Sequence, residues 1–179
     1  MKTKIYFIAL VLITSLMFSC SSDDELSYQN DFEKSQLAWL DFKKSSNDSY
    51  QYVVSDGALF LEYNWETTIT VSNGKIIQRH FKYTGNTENI PDTIALEWTE
   101  EENEINSHKN AGGAATALTL DQIYNKAKSE WLIKRKDVTV YFETKNNGLI
   151  STCGYVPKGC MDDCFLGIRI KNIQPYNPN

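Results

Sequence analysis

The chain predicts an α+β fold, a curved antiparallel sheet of about six strands with two helices packed on one face. Three observations lead there. Residues 30 to 46 and 120 to 131 carry apolar side chains at helical spacing. Most of the remainder is short runs that alternate apolar and polar residues, the mark of half-buried strands. Asp56-Gly57, Asn73-Gly74 and Asn147-Gly148 punctuate those runs with the dipeptides that favour tight hairpins.

Taken in order, the first helix sets Phe32, Trp39, Leu40 and Phe42 within one broad face, and the polar stretch from Lys43 to Asp48 ends it. Tyr50 to Val54 begins a strand, turned at Ser55-Asp56-Gly57-Ala58 into a second over roughly 59 to 71. Asn73-Gly74 turns the chain again into Ile76 to Tyr83. Residues 85 to 117 hold the acidic side chains Glu100, Glu101, Glu102 and Glu104 and one short strand, Ile94 to Trp98. A stretch this long in a compact domain is either functional or mobile.

The second helix has the clearest start. Thr119 can cap it, Gln122 completes a capping box, and Leu118 with Ile123 makes a hydrophobic staple. Leu120, Ile123, Tyr124, Ala127 and Trp131 form its buried stripe, and Lys134 to Lys136 suit its carboxyl end. Val138, Val140 and Phe142 then alternate as a strand, Leu149 to Tyr155 returns from the Asn147-Gly148 turn, and a last strand runs from about Cys164 to Ile173.

That turn pairs Asn146 with Leu149, and hence Phe142 with Cys153 and Val140 with Tyr155. Cys153 therefore faces inward. A symmetric loop over 155 to 162 would set Cys153 opposite Cys164, which predicts a Cys153–Cys164 disulfide with Cys160 free; Cys153–Cys160 is the alternative. A Cys-x6-Cys-x3-Cys run without a second pair or a nearby histidine is not a zinc pattern, so no metal or cofactor is expected.

The amino terminus sets the expected location. Lys2 and Lys4 precede a fourteen-residue, largely apolar run from Ile5 to Phe18, and Ser19-Cys20 is followed by Ser21-Ser22-Asp23-Asp24-Glu25. Fourteen helical residues span only about 21 Å, short of the roughly 30 Å hydrocarbon core, so the run reads as a cleaved leader and not a span. It resembles a lipoprotein signal, with residues 1–19 removed and Cys20 lipidated. The acidic stretch after it is similar to the tether of surface-exported lipoproteins of Bacteroidota. This divides the chain into a leader (1–19), a tether (20–29) and one domain (30–179), held at the envelope, at the outer membrane.

The order of short motifs also resembles an uncharacterised bacterial family of exported and lipoprotein domains, over about residues 35 to 173. The matching pieces are Tyr50-x-Tyr52, Val71-Ser72-Asn73-Gly74-Lys75, Thr119-Leu120-Asp121-Gln122-Ile123-Tyr124, Val138-Thr139-Val140-Tyr141-Phe142 and Asp162-Asp163. Family members often carry Cys-x-Cys early in the sheet, where this chain reads Ala58-Leu59-Phe60. The resemblance implies no activity.

Composition narrows the partners. Without the two leader lysines, the 18 basic side chains of the full sequence fall to about 16 against 23 acidic ones, a formal net of about −7 that disfavours nucleic acid and anionic lipid surfaces as partners. His80 falls on the solvent face of a strand with Gln78 and Lys82, and His108 in a polar loop. Neither stands near a nucleophile motif, so no enzyme is expected. Asp162-Asp163 lacks the regular acidic spacing of a calcium loop. The glutamates from 100 to 104 read as a solubilising loop.

Trp39 and Trp131 fit helix cores, leaving Trp65 and Trp98 as weak candidates for stacking on a sugar. Asp92-Thr93-Ile94 resembles an O-glycosylation tripeptide of exported Bacteroidota proteins, at Thr93. The expected function is a membrane-anchored, non-catalytic lipoprotein that presents a protein- or peptide-binding surface in an accessory or inhibitory role. The alternatives are a glycan-binding lipoprotein and a hydrolase with an unfamiliar site.

Overall fold

The computed structural model describes residues 26–56, 62–107, 113–161 and 164–177. Cys20 and the leader, the tether through Glu25, Gly57 to Phe60, His108 and Asp162-Asp163 lie outside the described residues. The rest is α+β. Helix α1 (Gln29–Ser45) leads into strands β1 (Tyr50–Asp56), β2 (Tyr63–Ser72), β3 (Lys75–Gly85) and β4 (Glu97–Glu101). Helix α2 (Leu120–Lys126) follows and runs on as a π-helical turn, Ala127–Trp131. Strands β5 (Val138–Glu143), β6 (Thr152–Pro157) and β7 (Leu166–Pro175) complete the fold. The seven strands among the described residues form one antiparallel sheet in the order β4-β3-β2-β1-β7-β6-β5. Among the described residues no helix is long and apolar enough to cross a membrane.

The core lies between the helices and the inner face of the sheet. Tyr50 and Tyr52 of β1, Ile69 and Val71 of β2, and Ile168, Ile170 and Ile173 of β7 supply that face. A register shift against β1 explains the uneven spacing of the three isoleucines. Val54 pairs with Ile170 while Val53 pairs with Asn172, so the chain bulges once and Ile173 still faces inward opposite Tyr52.

On α1 the buried stripe is Phe32, Ser35 and Trp39, with Phe42 half-buried. Leu40, expected inside, is 53 % exposed, because the residue after Trp39 turns about 100° away from the sheet. Ser35 takes its place on the stripe, and its hydroxyl lies 2.7 Å from the Tyr124 hydroxyl. Trp39 stacks on Tyr124 and donates its indole N–H to Asp121 at 2.9 Å, joining the two helices.

The start of α2 is as the sequence predicts. The Thr119 hydroxyl accepts the Gln122 amide at 3.2 Å and the Gln122 side chain accepts the Thr119 amide at 2.8 Å. All five residues of the expected stripe are buried. The helical run ends at Trp131, so Lys134 to Lys136 lie beyond it and do not act on its last turn.

Three other expectations about the strands change. Asp56 pairs with Trp65 and Ser55 with Glu66, whereas a two-residue turn at Asp56-Gly57 would pair Ser55 with Ala58, so the expected hairpin register is not the one observed. The short strand expected at Ile94 to Trp98 lies three residues later, because pairing with β3 sets Trp98 opposite Phe81 and Glu100 opposite Arg79. The last strand likewise begins at Leu166 and extends to Pro175.

The disulfide joins Cys160 to Cys164, whose Cα atoms are 6.2 Å apart, and Cys153 is a buried free thiol. Neither pairing expected for Cys153 forms. The β5–β6 register is the one expected, with Phe142 opposite Cys153 and Val140 opposite Tyr155. The β6–β7 register differs: Tyr155 meets Leu166, so Ile168 stands opposite Cys153 and Cys164 stays in the preceding loop.

Candidate functional site

A cleft opens where the end of β1, the start of β2 and the start of β7 meet. Its outer part encloses about 880 Å³ and an inner pocket of about 250 Å³ continues from it; Asp56, Trp65, Phe165 and Arg169 line both. Trp65 arrives through the β1–β2 pairing, directly opposite Asp56. Phe165 arrives through a close approach of β6 and β7 at Gly154 and Gly167. A Cβ on Gly154 would sit 2.6 Å from Phe165 Cζ, so the bare backbone there is what admits the ring.

Charges frame the aromatic pair. Arg169 lies over the Phe165 ring, 3.9 Å from its centroid, and its Nη1 is 3.5 Å from Asp56 Oδ1. Glu66 accepts from Lys171 at 2.6 Å and lies 3.6 Å from Lys82. The hydrogen bond from Lys171, together with both lysine charges, holds the Glu66 carboxyl below its ordinary range.

The inner wall includes Gly113, Ala115, Thr116 and Leu118, a segment held from behind by a buried ion pair that the sequence reading missed. Arg79 and Glu100 are 2 % and 0 % exposed, and Arg79 Nη1 donates to Glu100 Oε2 at 3.1 Å. The other Arg79 donors reach the backbone of the returning chain, Nε to the Ala115 carbonyl at 2.9 Å and Nη2 to that of Ala114 at 3.3 Å. Glu100 in turn accepts the Asn106 amide at 2.6 Å and the Ser107 hydroxyl at 3.1 Å. Ala115 donates to Thr67 Oγ1 at 2.9 Å, and Tyr52 donates to the Leu118 carbonyl at 2.6 Å. Residues 113 to 118 are thereby fastened along the sheet, and Gly113 lies against the Trp65 indole, where a Cβ would meet the ring at 2.7 Å.

Glu101, Glu102 and Glu104 are exposed, as a solubilising loop requires, but Glu100 faces inward opposite Arg79. One pattern in the sequence marks this site. Arg79-x-Phe81-x-Tyr83 places a cation on the inward alternation of a strand, and a buried cation demands an anion.

Trp65 and Trp98 fall in one aromatic row. Trp65 meets Tyr83 at 6.4 Å, Tyr83 meets Phe81 at 5.0 Å, and Phe81 stacks on Trp98 at 5.2 Å. Only Trp65 lines the cleft. Trp98 lies under the Arg79 guanidinium, 5.0 Å from its ring centroid. His80 is on the outer face of the sheet, where Nε2 lies 2.6 Å from Glu97 Oε1. Among the described residues no group of three or more metal-ligating side chains is assembled.

Four strongly shifted groups lie in the core. Burial pushes the Tyr124 hydroxyl up to about 12 and raises Tyr50, Tyr52 and the Cys153 thiol as well. Each of the three tyrosines has a structural partner, the Leu120 amide for Tyr50, the Leu118 carbonyl for Tyr52 and Ser35 for Tyr124. The cleft offers aromatic faces and paired charges, a surface for holding a ligand by shape and polarity. No protein-family model, curated protein or solved structure matches the chain.

Proposed function

We propose that the protein is a non-catalytic binding module, tethered to the bacterial envelope through lipid on Cys20, that holds a protein or peptide in the Trp65–Phe165–Arg169 cleft. The observation that carries this reading is the make-up of the cleft. Two aromatic rings lie beside the Asp56–Arg169 and Glu66–Lys171 pairs, and aromatic anchors with arginine inside a polar rim are what protein-binding surfaces concentrate. The 113–118 segment, part of the long stretch after Gly85, supports it as a fastened wall. The Ser19-Cys20 junction and the acidic residues after it support the anchor.

Photo-crosslinking in intact cells tests both halves. A benzoyl-phenylalanine at Asn64, which lines the cleft, captures a discrete partner that the same group at exposed Lys128 does not, and Arg169→Glu abolishes the adduct. Identical adducts at both positions, or none at Asn64, overturn the cleft as the binding surface. Radiolabelled palmitate marks the wild type and not Cys20→Ser; an unlabelled wild type overturns the anchor. The place of Trp65 in the cleft favours glycan binding as a second reading. It replaces the first if a glycan array shows binding that Trp65→Ala removes while Asn64 captures no protein.

A further inference from the structure

We propose that the free edge of β5 takes up an extended acidic peptide as an added strand, at a surface separate from the cleft. Strand β5 closes one side of the sheet. The Lys158 amide donates to the Asp137 carbonyl at 2.8 Å, and with the observed register this turns the peptide groups of Thr139, Tyr141 and Glu143 towards β6. Those of Val138, Val140 and Phe142 therefore point outward at strand spacing. Among the described residues only the Val140 carbonyl is met, by the Tyr28 hydroxyl at 3.4 Å. Such a row of donors and acceptors is a template for another strand.

The opposite edge is protected differently. Strand β4 has five residues, three of them glutamate, whereas β5 reads Val-Thr-Val-Tyr-Phe-Glu with Tyr141 exposed. Beside β5 runs a groove of about 480 Å³ lined by Tyr28, Val138, Val140 and Lys134 to Lys136. Arg135 lies over the Tyr155 ring at 4.3 Å, and Lys158 donates to the Lys136 carbonyl at 3.0 Å, which adds a further cation. On a chain of formal charge −5 this is a local basic strip.

Charge complementarity selects an acidic occupant, and the ordered peptide groups select a polypeptide over a lipid headgroup. A second copy fits worse. Antiparallel pairing would bring its Lys145 to these cations, and parallel pairing its Lys134 to Lys136.

The test is fluorescence anisotropy of the purified protein with a labelled heptapeptide of alternating valine and aspartate. Saturable binding is expected, weakened by about tenfold or more when alternate amide nitrogens of the peptide are methylated, or by Lys136→Glu in the protein. Val140→Pro, which keeps the carbonyl but removes an outward N–H, weakens it similarly provided circular dichroism shows an intact fold. Arg169→Glu in the cleft leaves it unchanged, so failure here and failure of the cleft are distinguishable. Equal binding of the methylated peptide overturns the proposal. So does binding only to phosphatidylglycerol vesicles, or a dimer that Val140→Pro dissociates with no uptake of peptide.

Discussion

Arg79 distributes its donors over Glu100, Ala114 and Ala115, and Glu100 accepts in addition from Asn106 and Ser107. Two buried charges thus hold parts of the chain that share no regular secondary structure. Removing one partner leaves the other charged and dry. Glu100→Ala is expected to lower unfolding free energy by about 3–5 kcal/mol in urea titration, and Arg79→Met with Glu100→Leu to recover most of it. A double variant no more stable than Glu100→Ala would show that the backbone contacts to Ala114 and Ala115, not the charge pairing, dominate. The inward alternation of Arg79 was legible from its place two residues before Phe81. Its partner was not, because Glu100 stands within a run of acidic residues whose other members are solvated, and only the β3–β4 register separates it from them.

At the scale of elements, local chemistry was readable and long-range register was not. Asn147 and Gly148 adopt positive φ, 53° and 88°, which fixes a tight turn and with it every pair along β5 and β6. No such turn joins β6 to β7. The connection over residues 158–165 leaves their register to packing, so a symmetric loop gave the wrong cysteine pair. Non-reduced peptide mapping is expected to find the Cys160–Cys164 link and an unmodified Cys153. That thiol reacts with maleimide only after denaturation, because burial raises its pKa and closes access. A Cys153-linked peptide would instead support the register inferred from loop symmetry. The cleft was hidden for the same reason, since Trp65, Phe165 and Arg169 meet only through the β1–β2 and β6–β7 pairings.

For the molecule as a whole, the sheet is pinned to its helices by phenols. Tyr50, Tyr52 and Tyr124 are buried, and burial raises the folded pKa of each above the ordinary value of 10. A raised folded pKa means that the folded chain favours the neutral phenol. The stabilisation is complete below about pH 10 and falls as pH rises, for Tyr124 through about 12. Thermal unfolding followed by circular dichroism should therefore show a melting temperature steady to pH 9 and dropping steeply by pH 11. Tyrosinate absorbance from these three groups should appear only with unfolding. A flat profile to pH 11 would mean that the phenols ionise without cost in place.

β7 lies between β1 and β6, so among the described strands the four from β4 to β1 join the β5–β6 hairpin within the sheet through β7, the last of them in sequence. Synthesis delivers that strand after everything it joins. Until residues 166 to 175 are available, the nascent polypeptide has two partial sheets with raw inner margins and no completed interior, a state open to chaperones and proteases. A stop codon ahead of Leu166 would therefore abolish accumulation of the protein, not trim it.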